Sequence, residues 1–307
     1  MLPGKPTNIG SMTKQPALSP TEYGWATSRG EKWRDRLGGM EAMLAPIDGP
    51  LIDALQLDAP LRIADIGCGG GGTTLEIVRR APAGSVVHGF DISPALVEAA
   101  RRRAPTDEHA RSSIAFEVAN MAKATPPGEL YDRVVSRFGI MFFDDPQAAF
   151  ANVLRWLAPG GRFAFAVWGP LSFNPWMTCV RDVTAEIVEV PAADPEAPGP
   201  FRYADADKLL AVLDGVGFCD LRARDWREVL RIGGGLSASE AASFALAAFG
   251  SFGDLLAERG ADALEQARRA LTARFSDLRS DAEDGTVRMN ACGHIFTGVR
   301  PARRTHQ

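Results

Sequence analysis

The apolar positions change period several times along the chain, and each change predicts a different element. Residues 1–20 are rich in Pro, Gly, Thr and Ser with no apolar period, and read as a disordered segment. From 30 to 57 the chain turns helical: Trp33, Leu37, Met40 or Glu41, and Leu44 recur at helical spacing, and Pro46 and Pro50 divide the run into two pieces. After residue 61 short apolar runs alternate with amphipathic stretches. Strands are predicted at 61–66, 86–90, 114–118, 131–136 and 162–168. Helices follow the first at 73–80, the second behind Ser93-Pro94, and the fourth behind Asp144-Asp145-Pro146 through Leu157.

The second half is less regular. Residues 175–189 and 205–214 read as helices, 191–200 as a Pro/Ala/Gly-rich loop, and 218–230 as a strand. Ser237-Ala238-Ser239-Glu240 has the capping-box pattern and opens Ala-rich helices reaching about residue 279, before a last strand at 287–299. Strands alternating with helices predict an α/β fold: a Rossmann-like, doubly wound sheet with its ligand at the carboxyl ends of the strands. The expected organisation is one domain over 21–307, with a core at about 60–170. Lid elements at about 21–57, 170–200 and 233–283 are expected over the crevice.

Composition narrows the function classes. The 307 residues carry a net charge of −4, which gives no broad electrostatic footprint for nucleic acid. Arg101-Arg102-Arg103 reads as a solvated helix end rather than a phosphate patch. The four cysteines are scattered without a Cys-x-x-Cys pair, which argues against structural zinc or a disulfide framework and suits a cytoplasmic location. Residues 163–180 lack charge over 18 positions, but Gly169-Pro170 and Asn174-Pro175 interrupt them, so no membrane span is expected.

The chemistry concentrates after the first strand. Gly67-Cys68-Gly69-Gly70-Gly71-Gly72 fits G-x-G-x-x-G, a pattern that alone also fits a dinucleotide site. Asp65, two residues before the first glycine, would oppose a pyrophosphate but suits the ammonium of a methionyl group. Asp91 ends the second strand 24 residues after Gly67, where a carboxylate can accept both ribose hydroxyls, and Ile92 offers an apolar face to a purine.

Ile63-Ala64-Asp65-Ile66-Gly67-Cys68-Gly69, Gly89-Phe90-Asp91-Ile92-Ser93, Tyr131-Asp132-Arg133-Val134-Val135-Ser136 and Leu157-Ala158-Pro159-Gly160-Gly161-Arg162 occur in order. Together they resemble the class I S-adenosylmethionine-dependent methyltransferases, nearest the ubiquinone/menaquinone-type small-molecule branch. The resemblance implies a seven-stranded sheet with an antiparallel last strand, with S-adenosylmethionine as cofactor and S-adenosylhomocysteine as product. It also implies cofactor contacts from Asp65, Gly67, Gly69, Asp91, Ile92, Asn120, Met121 and Arg137. Asn120 stands where relatives often carry Asp.

The acceptor expected is a small aromatic or lipophilic molecule, methylated on O, N or C. Trp25, Trp33, Phe138, Met141, Trp168, Phe173 and Trp176 are its candidate contacts. His294 is the candidate general base; a packed strand histidine is the competing reading. No His/Asp/Glu cluster has metal-ligand spacing. A cofactor-binding or regulatory module without catalysis is the alternative function.

Overall fold

The protein is described by a computed structural model that covers residues 18–105, 112–126, 128–277 and 284–302. Residues 1–17 of the segment read as disordered, and His109 and His306, lie outside the described residues. Ser19 and Pro20 belong to structure instead: Ser19 caps helix α1 (Pro20–Ala26) with a capping box to Glu22. The Ser-x-x-Glu spacing that signals such a start is present in the sequence.

Seven strands form one sheet: β1 (Arg62–Ile66), β2 (Val86–Asp91), β3 (Ser113–Val118), β4 (Tyr131–Arg137), β5 (Leu157–Trp168), β6 (Cys219–Arg231) and β7 (Arg288–Val299). Their order is β3-β2-β1-β4-β5-β7-β6. All neighbours are parallel except β7, which runs antiparallel between β5 and β6. The winding reverses between β1 and β4, so a crevice opens at their carboxyl ends. Residues 64–66, 134–136 and 163–168 are buried, as expected of central strands covered on both faces.

Helices α5 (Gly72–Arg80), α6 (Pro94–Arg103) and α7 (Pro146–Trp156) follow β1, β2 and β4. Ser93 and Asp145 cap the latter two, each followed by Pro at the first helical position. β5 starts five residues before the strand read at Arg162. Leu157 bridges Tyr131, and the Pro159–Gly161 corner is tied to the chain end by Gly160 N–H to the Arg300 carbonyl and Arg300 N–H to the Gly161 carbonyl. That long-range pairing draws a glycine corner into the ladder.

Before β1 come α1, α2 (Ser28–Asp35), α3 (Leu37–Leu44) and α4 (Asp48–Asp53). After β5 come α8 (Pro175–Ala185) and α9 (Ala206–Gly215). Between β6 and β7 lie α10 (Ala238–Ala248), α11 (Phe252–Arg259) and α12 (Ala261–Asp277). Among the described residues no helix is long and apolar enough to cross a membrane.

Candidate active site

The glycine turn is shaped by backbone conformation. Gly67, Gly69 and Gly71 have φ of +66°, +54° and +84°, the left-handed region where only glycine is free of strain. Gly67 also faces the Gly139 backbone: a Cβ there would sit 3.1 Å from the Gly139 Cα. A second tight point lies across the crevice, where Phe138 ends β4 with φ of +59° and its ring stacks on Trp168 at 4.0 Å. A bulky residue held left-handed stores strain at the site's edge.

These elements line one cavity of about 1070 Å³, its mouth included. Asp65, Gly67, Gly69, Asp91, Ile92, Asn120, Met121 and Arg137 all border it. Asp91 accepts the Gly69 N–H on Oδ2 at 2.9 Å and the Ser93 N–H on Oδ1 at 2.8 Å. The carboxylate, which the Ile92 N–H also approaches, keeps acceptor capacity for a further donor. Burial raises the Asp91 pKa, against the pull of those N–H groups.

Asp65 is wholly buried. Its Oδ2 accepts from Thr74 at 2.6 Å, while Oδ1 has no partner among the described residues. Burial pushes its carboxyl up to about 7, opposed by Thr74 and by Arg137. Beneath it, Arg137 pairs with Asp48 at 2.8 Å, and Thr73 donates to Asp48 at 2.8 Å. Burial nonetheless raises Asp48, outweighing the attraction of Arg137.

The roof is built by α1 to α3. A Cβ on Gly30 would run into the Ser93 hydroxyl, and one on Gly70 into Leu37, so α2 and α3 lie directly on the segment after β2 and on the turn. Glu22 reaches down from α1, accepting from Asn120 Nδ2 at 2.7 Å, Lys123 Nζ at 2.8 Å and Ser19 N–H at 2.9 Å. Burial raises its pKa, but these donors prevail and hold it below the ordinary value. Ser19 Oγ donates to Asp144 at the other rim. Glu41 of α3 accepts the Gly72 N–H at 3.0 Å and pairs with Arg103, which also donates to the Gly70 carbonyl.

Sequence reasoning missed Glu22, Glu41, Phe142 and Phe143, all lining the cavity. The arginine run is the solvated end of α6, as read, and from there Arg101 also donates to the Phe116 carbonyl and Arg103 braces the turn.

The acceptor candidates divide. Trp25, Trp33 and Phe138 line the cavity, where Trp25 packs edge-on against Phe142 at 4.8 Å and its buried Nε1 has no partner among the described residues. Met141, Trp168 and Trp176 are core residues that do not line it. Trp168 at the end of β5 packs on Trp176 of α8 at 4.7 Å, and Trp176 meets Phe249 at 4.9 Å. Phe173 is exposed beside β6, under the Arg227 guanidinium.

His294 is corrected as a base. Its Nδ1 meets Asp225 at 3.0 Å and its Nε2 the Ala204 carbonyl at 3.1 Å, so both nitrogens are engaged away from the cavity. Among the described residues, none of 170–200 or 233–283 lines the cavity. The second of these buttresses the roof instead: Phe244 of α10 packs on Gly39 of α3, and Asp254 of α11 pairs with Lys32 of α2. Among the described residues no group of His, Cys, Asp and Glu could hold a metal.

Known proteins share this arrangement. A family model described as a methyltransferase domain matches residues 63–161. The chain is 30% identical over 131 residues to aklanonic acid methyltransferase DauC of Streptomyces sp. strain C5, covering 43% of this chain and 58% of that protein. It is 34% identical over 187 residues to a trans-aconitate 2-methyltransferase of Methylobacterium radiotolerans, covering 58% and 62%. It is 34% identical over 119 residues to a demethylmenaquinone methyltransferase of Thermus thermophilus, covering 39% and 52%. The match thus spans less than two thirds of each relative. In fold, the chain is similar to the YcgJ protein of Bacillus subtilis, with a TM-score of 0.53 at 16% identity, covering 83% of this chain and 97% of that one. A putative methyltransferase of Bacillus halodurans gives 0.51 at 13% identity, with 83% and 99% covered. Residues 63–161 thus match a methyltransferase domain, set in a sheet of the order found here.

Proposed function

We propose that the protein transfers a methyl group from S-adenosylmethionine to a small, flat, aromatic or lipophilic acceptor. The observation that carries the reading is the unpartnered Oδ1 of buried Asp65, beside the left-handed glycine turn and across from Asp91. A buried orphan acceptor is costly unless a ligand supplies a donor. The cofactor's ammonium does so, and its ribose hydroxyls meet the free lone pairs of Asp91. Ile92 and Met121 offer apolar faces to the adenine, and Asn120 a polar edge. No phosphate-binding role fits, because Asp65 would oppose the anion.

When bound, the cofactor supplies a methyl group on a sulfonium, already activated for in-line displacement. The chain's own residues then have to orient the acceptor and exclude water. Trp25, Trp33, Phe138, Phe142 and Phe143 form apolar walls for a flat acceptor, and the Trp25 N–H can hold one of its oxygens. Positioning of this kind can supply up to roughly 7–11 kcal/mol of barrier reduction.

Every carboxylate lining the cavity has a structural partner, and burial pushes the Cys68 thiol well up. With Asp65 taken up by the ammonium in this reading, no other side chain lining the cavity among the described residues is arranged as a general base. The acceptor therefore brings a nucleophile that needs no prior deprotonation by the protein, with a carboxylate, an enolate or an acidic phenol the favoured kinds. The test is labelled-methyl transfer against a panel of phenols, quinols, amines and carboxylic acids. Label on an acidic aromatic or lipophilic compound is expected. Cofactor binding without transfer to any compound would favour a binding module, and binding of NAD in place of S-adenosylmethionine would overturn the reading.

A further inference from the structure

The last strand of the sheet is unusually open. β6 pairs with β7 alone, runs 13 residues without proline, and keeps unbroken register from Arg222 to Arg231. Natural edges are more often short, bulged or covered. The direction of its free backbone groups can be read from the neighbouring strand. Cys292 lies opposite Arg227, sends its N–H to Asn174 Oδ1 at 3.1 Å and accepts the Gly169 N–H at 2.9 Å. Both groups of Cys292 thus point toward the β5 side. The Arg227–Cys292 pair is then a non-hydrogen-bonded one, and Arg227 turns its backbone outward. By alternation Ala223, Asp225 and Val229 do the same. Val229 N–H accordingly ends on the carboxylate of its own neighbour Glu228, at 2.9 Å. From Arg222 to Val229 every side chain except Trp226 is exposed.

We propose that this edge pairs antiparallel with β6 of a second copy of the chain, about a two-fold axis at Trp226, joining two sheets into one. The order of charges selects the partner and the register. With Trp226 opposite its own copy, Asp225 faces the partner's Arg227 and Arg224 faces the partner's Glu228, each pair occurring twice. Ala223 then meets the partner's Val229. Opposite charges directly across a strand pair stabilise it, and like charges destabilise it. Moving the axis by one residue sets Asp225 against Asp225 or Arg227 against Arg227. Moving it by two sets Arg224 against Arg224 or Glu228 against Glu228. The outward backbone of Asp225, Arg227, Ala223 and Val229 places these residues opposite one another as hydrogen-bonded pairs in this register.

Two further features fit a second copy. Val229 and Phe173 are large apolar residues left 46% and 50% exposed on this face, which a partner strand would cover. Trp226 is buried and packs inward toward Trp168 at 6.5 Å, so two copies can approach at the axis. Arg224 and Glu228 cannot satisfy each other within one chain, being about 13 Å apart along the strand.

The test is sedimentation equilibrium of the full chain over a concentration series. The wild type is expected to dimerise. Arg224→Glu is expected to weaken the dimer about tenfold or more, by turning two attractive pairs into two repulsive ones. Glu228→Arg is expected to do the same. The double variant R224E/E228R re-creates both pairs with reversed sign and is expected to regain the wild-type association. Circular dichroism of each variant reports that the fold persists. A wild type that stays monomeric, a dimer indifferent to R224E, or a double variant as weak as either single one would each overturn the proposal. Its failure would leave the methyl-transfer reading untouched, since none of these residues lines the cavity.

Discussion

The floor and the roof of the cavity are held by different forces. The floor is made where β1 and β2 end, and its charges answer to groups nearby: Asp91 holds the Gly69 and Ser93 N–H groups, and Asp65 holds Thr74. The roof is a set of short helices fastened by side chains far away in sequence. Glu22 reaches Asn120 over 98 residues, and Ser19 reaches Asp144 over 125. Lys123, the cationic half of the Glu22 latch, is 46% exposed. Ion pairs with that much water around them contribute little, whereas buried carboxylates with satisfied N–H donors are costly to disturb. The contrast teaches that the floor is fixed by local bonds and α3 by its buried Met40, Met43 and Leu44, whereas α1 hangs on long-range contacts that can open at lower cost. A closed site needs that asymmetry to admit cofactor and acceptor.

The largest effect is expected at the floor. Asp91→Ala removes the proposed acceptor of the ribose hydroxyls and strands the Gly69 N–H. The dissociation constant for S-adenosylmethionine should rise about 100-fold, as two charge-assisted hydrogen bonds are lost. Calorimetry checks this, and unchanged affinity would remove Asp91 from the site.

A change of pH separates floor from roof without mutation. Because burial raises Asp65 to about 7, its carboxylate is lost as pH falls through 7, and with it the proposed partner of the ammonium. Affinity should fall about tenfold per unit below pH 7, with a proton released on binding. Folding stability moves the other way on this account, since neutralising a buried carboxylate removes a penalty. Glu22 is held below its ordinary value, so its latch persists until pH falls beneath the usual carboxylate range. Titration calorimetry between pH 8 and 6 tests the affinity, and thermal melts over the same range test the stability.

The smallest effect is expected at the latch. Glu22→Gln keeps the shape and loses the ion pair with Lys123. Cofactor release should accelerate by about fivefold or less, the size of a partly exposed pair, with little change in Tm. Stopped-flow release measures it; a change as large as that of Asp91→Ala would mean that roof and floor are one unit.

Legibility in the sequence followed the same division. The glycine turn, Asp65 and Asp91 were readable because strand, turn and helix lie within a short stretch and their geometry is dictated locally. The antiparallel last strand came with the family resemblance. No local pattern encodes it, because the direction of β7 is set by its pairing with β5 and β6. The aromatic lining of the cavity was half readable. Aromatic residues announce a large apolar payload, yet nothing local says whether Trp168 faces the crevice or, as here, the core beside Trp176. His294 was uninformative for the same reason: Asp225, its partner, lies on another strand.

The sequence by itself determined the order of strands and helices, the left-handed glycine turn and the two carboxylates that flank it. Each depends on backbone conformation and on neighbours within one strand-turn-helix unit. Only the tertiary structure decided that Glu22 and Glu41 close the site, that Arg103 braces the turn, and that residues 233–277 support the roof from behind. Those roles rest on side chains meeting across long stretches of chain, and burial and charge pairing at that distance exist only once the sheet has folded.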